Sequence, residues 1–237
     1  MKVLSLNCWG TYGPAERQPV LLEAVRSVGA DILCLQETPP GFSKLLDYPT
    51  WFQNPETELV IASRFPAGGN LSVLYQTRSP FERFPRGAIF AELTVGAGKI
   101  WVGTTHLSWK EEDEVSRIGQ TEELLKTARS LKGPVLLGGD FNASPGQAPI
   151  QRIQQDGFLD LFADLHPTDP GITWDNGNPF IQSHSVRFPD RRIDLLFLRT
   201  ETPDGWVPST CEVVCRKADG AGIRPSDHYG VLATFAS

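Results

Sequence analysis

Polar side chains that can bind a metal or move a proton occur repeatedly at or beside the ends of the strands that the sequence predicts. They are Asn7, Glu37, His106, Asp140, Asn142, Asp194, Asp227 and His228. Strands hold such side chains rigidly, and the ends of neighbouring strands can converge on one pocket. The pattern therefore indicates one site that is assembled from distant parts of the chain.

Two carboxylates have a local sequence that favours a role at such a site. Glu37 follows a wholly apolar strand, so its charge needs water, a cation or a hydrogen-bond donor. Asp140 follows Gly138 and Gly139, which allow a tight backbone and the close approach of a ligand. Simpler interpretations stay open: Glu37 as a charged residue that starts a loop, and Asp140 as part of an Asp/Asn turn.

Asp194 and His228 are candidates for a carboxylate–histidine pair. Asp194 lies inside an apolar strand and needs a partner, and a histidine is the usual one where chemistry is involved. The carboxylate then raises the pKa of the imidazole and fixes its tautomer. Arg192 or a backbone amide is the structural alternative. In Ser226-Asp227-His228, Asp227 can ligate a hard cation and His228 can donate a hydrogen bond to a phosphoryl oxygen.

These residue types favour metal-dependent phosphoryl chemistry over other reactions. Oxygen ligands without a Cys/His cluster favour Mg²⁺ or Mn²⁺ over zinc. Two histidines with Asp and Asn can orient a water and stabilise a phosphoryl transition state. An acyl hydrolase is less favoured because the chain has no Gly-x-Ser-x-Gly elbow, and it has neither a Walker loop nor a Rossmann glycine pattern.

The elements that must position these residues are mostly strands. Strands are predicted at 3–6, 32–35, 58–64, 70–76, 87–95, 100–105, 134–137, 193–198 and 229–235. Helices are predicted at 15–28 and at about 112–131, and the second carries Val115, Ile118, Leu124, Leu125 and Leu131 on one side. With no internal repeat or linker, we expect one α/β (α+β) domain over residues 1–237.

Composition is ordinary for a globular protein and excludes extended disorder and simple coiled coil. Of the 237 residues, 40% are hydrophobic and 21% are charged, and the net charge is -6. An acidic average argues against nonspecific binding of long nucleic acid, although a local basic patch can exist within it. No apolar run is long enough to cross a bilayer, and the apolar start is too short for a signal peptide. The cysteines (Cys8, Cys34, Cys211 and Cys215) form no CxxC pair, so we expect reduced thiols and a cytoplasmic protein, unless an exported form has lost its signal. We also expect a monomer.

Six short motifs, in order along the chain, resemble the endonuclease/exonuclease/phosphatase superfamily. They are Leu6-Asn7, Gln36-Glu37, Thr105-His106-Leu107, Gly139-Asp140-Phe141-Asn142, Arg192-Ile193-Asp194 and Ser226-Asp227-His228. The resemblance runs from residue 4 to residue 235. It implies a four-layer sandwich, with two packed mixed β-sheets flanked by helices. It also implies divalent-metal-dependent hydrolysis of a phosphate ester at the sheet edge.

The resemblance implies a metal site at three of the listed positions. Glu37 would bind the metal, Asn7 would lie beside it, and Asp227 would assist directly or through water. The expected ion is Mg²⁺, for which Mn²⁺ can substitute.

The resemblance assigns the remaining positions to the reaction itself. Asp140 would orient or deprotonate the attacking water, and Asn142 would hold the water or the phosphate. His228 would stabilise the transition state and Asp194 would orient His228. His106 would contact the phosphoryl oxygens.

The motifs that distinguish subfamilies point in different directions. Trp9 stands where apurinic nucleases and tyrosyl-DNA phosphodiesterases carry an Asp, and Leu6-Asn7-Cys8-Trp9-Gly10 looks like the neutral sphingomyelinases. Thr173-Trp174-Asp175 is instead similar to the tyrosyl-DNA phosphodiesterases. The substrate could therefore be a nucleic-acid end, a lipid head group or a small soluble phosphodiester, and the last or a short nucleic-acid end fits the composition best. A catalytically inactive binding module is less favoured because the main site positions are filled.

Three residues are expected to contact the substrate. Trp174 would stack on a leaving group and Asn178 would hydrogen bond to it, although a turn whose Trp fills the core explains them equally well. Arg192, with Arg187 and Arg191, forms a basic cluster that can meet a polyanion or pair with acidic residues on a solvated face.

A lipid hydrolase needs an exposed apolar surface for docking on a membrane. Trp51-Phe52 and Gly205-Trp206-Val207 are small candidates for such a surface, and no large one is visible.

Overall fold

The computed structural model describes residues 1–200 and 206–236 and contains two six-stranded mixed β-sheets with helices outside them. This confirms the four-layer α/β sandwich.

Labels follow chain order. The first sheet contains β1 (Lys2–Asn7), β2 (Ile32–Gln36), β3 (Thr50–Asn54), β4 (Leu59–Ser63), β11 (Pro208–Val214) and β12 (Gly230–Phe235). The second contains β5 (Ala67–Leu74), β6 (Gly87–Val95), β7 (Gly98–His106), β8 (Val135–Asp140), β9 (Leu159–Asp160) and β10 (Asp194–Arg199). The helices are α1 (Arg17–Val28), α2 (Glu114–Ser130), α3 (Ala148–Gln155) and α4 (Leu161–Leu165), with 3₁₀ turns at Phe42–Leu45 and Ile181–Ser183.

Each sheet contains one parallel pair of neighbouring strands among antiparallel ones. The strand orders are β11-β12-β1-β2-β4-β3 and β5-β6-β7-β8-β10-β9. The pairs β1/β2 and β7/β8 are parallel. Parallel neighbours end at the same edge, whereas an antiparallel neighbour begins there. The ends of four strands and the starts of β10 and β12 therefore lie along matching edges of the two sheets.

The main core lies between the sheets, and smaller cores lie under the helices. Buried Ile32 and Ile61 of the first sheet share a cluster with Val102 and Leu136 of the second. The strands β2 and β4 are buried at every position, because sheet covers one face and α1 or a loop covers the other. Two covered faces hold the strand ends in place.

Several elements differ from the sequence-based expectation. The strands β3, β9 and β11 and the helices α3 and α4 were not predicted; β3 and β11 are half-exposed edge strands, whose apolar pattern is weak. The predicted apolar side of α2 is wrong at Val115, which is 81% exposed. Arg117 and Gln120 lie on the buried side instead, where both bind the loop that follows β7.

The described residues contain no helix long and apolar enough to cross a membrane. All four cysteines are free thiols; three are buried and Cys215 is half-buried.

Candidate active site

The sheet registers bring the predicted site residues to one edge. The β1/β2 pairing places Asn7 beside the residue that precedes Glu37. The β7/β8 pairing places His106 beside Asp140, and the β8/β10 pairing places Asp194 on the other side of Asp140. Residues 30 to 133 positions apart along the chain thus become hydrogen-bonded neighbours.

Three non-glycine residues that follow strand ends at this edge have a left-handed backbone conformation. The φ angles are 56° at Trp9, 46° at Glu37 and 46° at Asn142. Side chains seldom adopt this conformation, which persists where surrounding contacts impose it and is frequent at functional sites. Here the Trp9 amide donates to Asn7 Oδ1 over 2.9 Å, and the Asn142 amide donates to Asp140 Oδ1 over 2.9 Å.

Asp140 is the hub of the cluster and is 1% exposed. Its Oδ2 accepts a hydrogen bond from Asn7 Nδ2 at 3.0 Å and lies 3.3 Å from His106 Nε2 and 3.8 Å from His228 Nε2. Burial raises the pKa of Asp140, Asp194 raises it further, and His228 and Asn7 oppose the shift. A carboxylate in this state can take a proton from water near neutral pH.

His228 and Asp194 form the expected carboxylate–histidine pair. The Nδ1 of His228 lies 2.9 Å from Asp194 Oδ2, while Arg192 is bound elsewhere. Burial opposes a charge on His228, but Asp194 and Asp140 outweigh burial and raise the pKa of His228 well above its ordinary value. Thr173 Oγ1 accepts from the Asp194 amide at 3.2 Å and fixes the start of β10. The shift favours the protonated form of His228, whose Nε2 lies 3.8 Å from Asp140 Oδ2.

His106 has the opposite electrostatic character. Burial lowers the pKa of His106 well below its ordinary value, and the nearby charges of Arg86 and His228 lower it further. A neutral imidazole beside Asp140 can donate one hydrogen bond without adding positive charge. Asn142 Nδ2 donates to the carbonyl of Leu107, which ties the loop after β7 to the end of β8.

Glu37 and Asp227 provide oxygens for a hard cation. Glu37 Oε1 accepts from Asn7 Nδ2 at 3.2 Å, and burial, followed by the charge of Asp227, raises the pKa of Glu37 to about 7. Asp227 lies 3.0 Å from His184 Nε2 through one oxygen and 3.2 Å from Ser226 Oγ through the other. Two carboxylates close to each other fit a divalent cation with oxygen ligands, of which Mg²⁺ is the usual one.

Asp140, Asp194 and His228 also offer ligand atoms within 4.8 Å of one another. The hydrogen bond between His228 and Asp194 already uses one atom of each residue. The raised pKa of His228 favours its positively charged form, and that charge opposes the binding of a cation there. The paired trio is suited to proton handling, and the oxygens on the Glu37 side of the cluster are suited to a metal.

A cavity of about 530 Å³ opens over the cluster. Its floor contains Glu37, His106, Asp140, Asn142, Asp227 and His228, and its walls include the aromatic residues Trp9, Tyr12, Phe84, Trp109, Trp174 and Phe188. Polar groups at the floor of an aromatic cleft are the usual form of a small-molecule site.

Of the three residues expected to contact substrate, the structure brings only Trp174 to the cavity. Trp174 combines both earlier interpretations: it is 6% exposed and packs on Ile181, and its ring also lies 5.0 Å from that of His228. Asn178 is fully buried and holds the carbonyls of Ser226 and Asp227 at 2.9 and 3.1 Å, so it positions the loop before β12.

Arg192 does not face the cavity. Its guanidinium binds both oxygens of Asp160 at 2.8 and 3.0 Å and is 5% exposed as a residue. We therefore remove Arg192 and Asn178 from the set of substrate contacts. The neighbouring Arg191 lines the cavity instead.

Two further residues of the site were missed by sequence reasoning. His184, paired with Asp227, lines the cavity between the rings of Trp9 and Trp174. Arg17 is fully buried in α1 and donates to the carbonyls of Cys8, Trp9, Gly10, Tyr12 and Pro225. It joins the loop after β1 to the loop that carries Asp227. An arginine at a buried position of an amphipathic helix was the available signal for Arg17; His184 had none.

The apolar candidates for membrane docking do not form one surface. Trp51 lies on β3 and is 45% exposed, and Val207, just before β11, is 56% exposed. These strands are the opposite edges of the first sheet. Phe52 and Trp206 are partly buried against the main core, and Gly205 lies outside the described residues.

The chain belongs to the Endonuclease/Exonuclease/phosphatase family, whose model matches residues 4–228. A sequence comparison with curated proteins gave no match.

Solved structures share the fold at low sequence identity. TDP2 from D. rerio, complexed with a single strand DNA product, is 19% identical, with a TM-score of 0.82 over 100% of this chain and 99% of the other. Beta toxin from Staphylococcus aureus is 17% identical, with a TM-score of 0.77 over 98% and 99%. The mannosyl-6-phosphatase of Bacteroides thetaiotaomicron VPI-5482 is 15% identical, with a TM-score of 0.75 over 100% of both chains.

Proposed function

We propose that this protein is a divalent-metal-dependent phosphodiesterase that cleaves its substrate by in-line attack of an activated water. The carrying observation is the placement of Asp140 between Asn7, neutral His106 and charged His228 at the floor of the cavity. Asp140 as a base, His106 as a neutral hydrogen-bond donor and His228 as a cationic donor suit the attack of water on a phosphate ester. Membership of a family of phosphoester hydrolases supports the proposal.

Asp140 takes the proton of the attacking water in this mechanism. Its Oδ1 accepts a hydrogen bond from the backbone N–H of Asn142, and its Oδ2 accepts one from Asn7 Nδ2, so the carboxylate cannot rotate away. Asn142 and Asn7 thereby orient the base, and Asn142 also lines the cavity in front of it. Holding the base and the water in one geometry reduces the entropic cost of the attack.

His228 and His106 stabilise the charge that builds on the phosphoryl oxygens. His228 donates from Nε2 while Asp194 accepts from Nδ1, which fixes both the tautomer and the ring orientation. His106, being neutral, donates a hydrogen bond to a phosphoryl oxygen without repelling His228. Donors that are already oriented cost no reorganisation in the transition state.

Glu37 holds the metal, with Asn7 beside it and Asp227 assisting. Mg²⁺, or Mn²⁺ in its place, supplies positive charge to the phosphate oxygens when bound. Asn7 Nδ2 contacts both Glu37 and Asp140, so one side chain sets the spacing between metal ligand and base.

A small soluble phosphodiester or a short nucleic-acid end is the proposed substrate. The aromatic walls suit a planar or apolar group next to the phosphate. The D. rerio neighbour complexed with a DNA product agrees with that choice. A lipid substrate is disfavoured because the apolar docking candidates lie at opposite sheet edges.

Hydrolysis of bis-p-nitrophenyl phosphate, with Mg²⁺ and with EDTA, tests the reaction class. We expect Mg²⁺-dependent release of p-nitrophenol, its loss in Glu37→Gln, and its retention in the matched surface variant Glu112→Gln. A panel of DNA ends, sphingomyelin and inositol phosphates then ranks the substrates. Activity that survives EDTA and Glu37→Gln would contradict the metal assignment.

A further inference from the structure

Two nitrogen donors in the cavity wall are buried and have no hydrogen-bond partner. They are Nε1 of Trp174 and Nε of Arg191, and neither atom meets an acceptor among the described residues. Buried donors are normally satisfied, and an exception at a cavity wall needs an explanation. An acceptor that arrives with a ligand is one such explanation.

The two donors belong to one local structure. Trp174 and Arg191 face each other in an isolated antiparallel bridge, with backbone hydrogen bonds of 2.9 and 3.0 Å between them. The Arg191 guanidinium lies 3.9 Å from the ring centre of Phe188 and 5.8 Å from that of Trp174. Stacking on aromatic rings fixes the orientation of the planar guanidinium. Its fork of N–H groups suits an oxyanion.

Arg191 differs from the other arginines around the site because its guanidinium forms no ion pair and no hydrogen bond with the described residues, although the charges of Asp140 and Glu111 act on it from farther away. Arg86, which also lines the cavity, is paired with Glu82 at 2.8 Å. Arg187 donates to backbone carbonyls, and Arg192 is paired with Asp160. In the described part of the chain, no carboxylate lies within 4.0 Å of Arg191, and no acceptor is hydrogen bonded to its guanidinium. A half-buried guanidinium without an anion can bind one that the ligand brings.

This pair lies next to the reacting centre but is separate from it. The Trp174 ring is 5.0 Å from the His228 ring, and the strand that starts at Asp194 follows Arg191 by three residues. The reacting phosphate belongs among Asp140, His106 and His228, none of which is hydrogen bonded to Arg191. Both groups of residues line the same cavity, so a ligand whose phosphate lies in the cluster can bring a second group to this pair.

We propose that Arg191 and Trp174 form a subsite for a second anionic group, carried by the substrate beside the phosphate that is cleaved. The inference rests on the proposed phosphodiesterase function and narrows its substrate class. Substrates with two or more phosphates fit the subsite. A diester with a cationic substituent does not, because its charge would meet the unpaired guanidinium.

A matched pair of chromogenic substrates tests the subsite. Thymidine 5′-(4-nitrophenyl phosphate) is compared with the same compound carrying a 3′-phosphate, so that the scissile bond and the leaving group are identical. We expect kcat/KM to be about tenfold or more higher for the 3′-phosphorylated compound, since its added phosphate can accept charge-assisted hydrogen bonds from Arg191. Arg191→Gln should bring the ratio close to one, and Trp174→Phe, which removes the indole donor but keeps a smaller aromatic ring, should lower it partly.

Arg83→Gln is the control for general electrostatic attraction. Arg83 is exposed and is the neighbour in sequence of the cavity residue Phe84. Its substitution removes one positive charge, as Arg191→Gln does, without changing the subsite. The ratio in Arg83→Gln should equal that of the wild type. Equal loss in Arg83→Gln and Arg191→Gln would overturn the subsite in favour of a long-range charge effect.

The outcomes separate the subsite from the proposed function. Hydrolysis of both compounds at equal kcat/KM by the wild type would refute the subsite and leave the phosphodiesterase proposal intact. Hydrolysis of neither compound, with no hydrolysis of bis-p-nitrophenyl phosphate, would refute the function; if bis-p-nitrophenyl phosphate alone is hydrolysed, the function stands, and in both cases binding decides the subsite. Calorimetry in EDTA should show tighter binding of thymidine 3′,5′-bisphosphate than of thymidine 5′-monophosphate, with the difference lost in Arg191→Gln; equal binding would refute it.

Discussion

His228 Nδ1 lies 2.9 Å from Asp194 Oδ2, and both residues are buried at the sheet edge. Asp194 is the first residue of β10, and His228 stands two residues before β12, in the other sheet. The contact therefore joins the two sheets at the cavity floor. The arrangement gives His228 a fixed tautomer and a raised pKa, from which its proposed role follows.

Asp194→Asn should reduce kcat strongly while KM changes little. The amide can present an N–H to Nδ1, which selects the wrong tautomer and removes the negative charge that holds His228 protonated. A loss of about 10²-fold or more in kcat is expected, comparable to the removal of one preorganised donor. The alkaline limb of the kcat profile should also move to lower pH. An unchanged profile with full kcat would show that Asp194 serves only the fold.

Asp140→Asn should abolish the base and leave substrate binding nearly intact. Interactions confined to the transition state affect kcat rather than KM when they are removed. We expect kcat at saturating substrate to fall on the order of 10²–10³-fold. Asp47→Asn, at an exposed position, is the control for the same chemical change. A rise in KM at constant kcat would assign Asp140 to binding instead.

Thermal unfolding without metal should reveal the ionisation of Glu37. The folded pKa of about 7 lies above the ordinary value of 4.5, so the folded state holds this proton more tightly than the unfolded state. This contribution to stability is present below about pH 4.5 and is lost as pH rises through 7. The difference in Tm between Glu37→Gln and the wild type, measured in EDTA, should therefore be more favourable to the variant at pH 8 than at pH 5. A pH-independent difference would contradict the shift.

Mg²⁺ should stabilise the wild-type protein more at pH 8 than at pH 5. The cation competes with the proton on Glu37 and relieves its repulsion with Asp227, so its effect grows as Glu37 ionises. Titrations of Tm against Mg²⁺ at the two pH values measure this. Equal shifts at both pH values, or equal shifts in Glu37→Gln, would place the ion elsewhere.

Arg17→Met should destabilise the fold and loosen the site. The substitution leaves five backbone carbonyls without their buried donor. A loss of roughly 2–5 kcal/mol in the free energy of unfolding is expected. Denaturant unfolding provides the measurement. A loss below the level of an ordinary surface substitution would show that water replaces the guanidinium without cost.

The site was predictable where strand topology alone places a residue. Asn7, Glu37, His106 and Asp140 follow or end apolar strands, and parallel neighbours bring such ends to one edge. The placement of Asp194 and His228 followed from the need of a buried carboxylate for a partner. Local patterns sufficed for these residues because each strand is short, apolar and clearly bounded.

The walls of the cavity were not predictable in the same way. Arg191 and Arg192 are adjacent, and only the bridge with Trp174 decides which of them faces the cavity. That bridge is a tertiary contact without a local signal. The exposed Val115 shows the same limit, since polar Arg117 and Gln120 occupy the buried side of α2 to bind loop carbonyls and hydroxyls.

Hydrolysis of bis-p-nitrophenyl phosphate in ¹⁸O-labelled water, with Mg²⁺, tests the central claim most directly. Attack of an Asp140-activated water on phosphorus predicts one ¹⁸O in the p-nitrophenyl phosphate product, none in p-nitrophenol, and no turnover in EDTA or in Asp140→Asn. Label in the p-nitrophenol, or undiminished turnover in Asp140→Asn, would contradict the account.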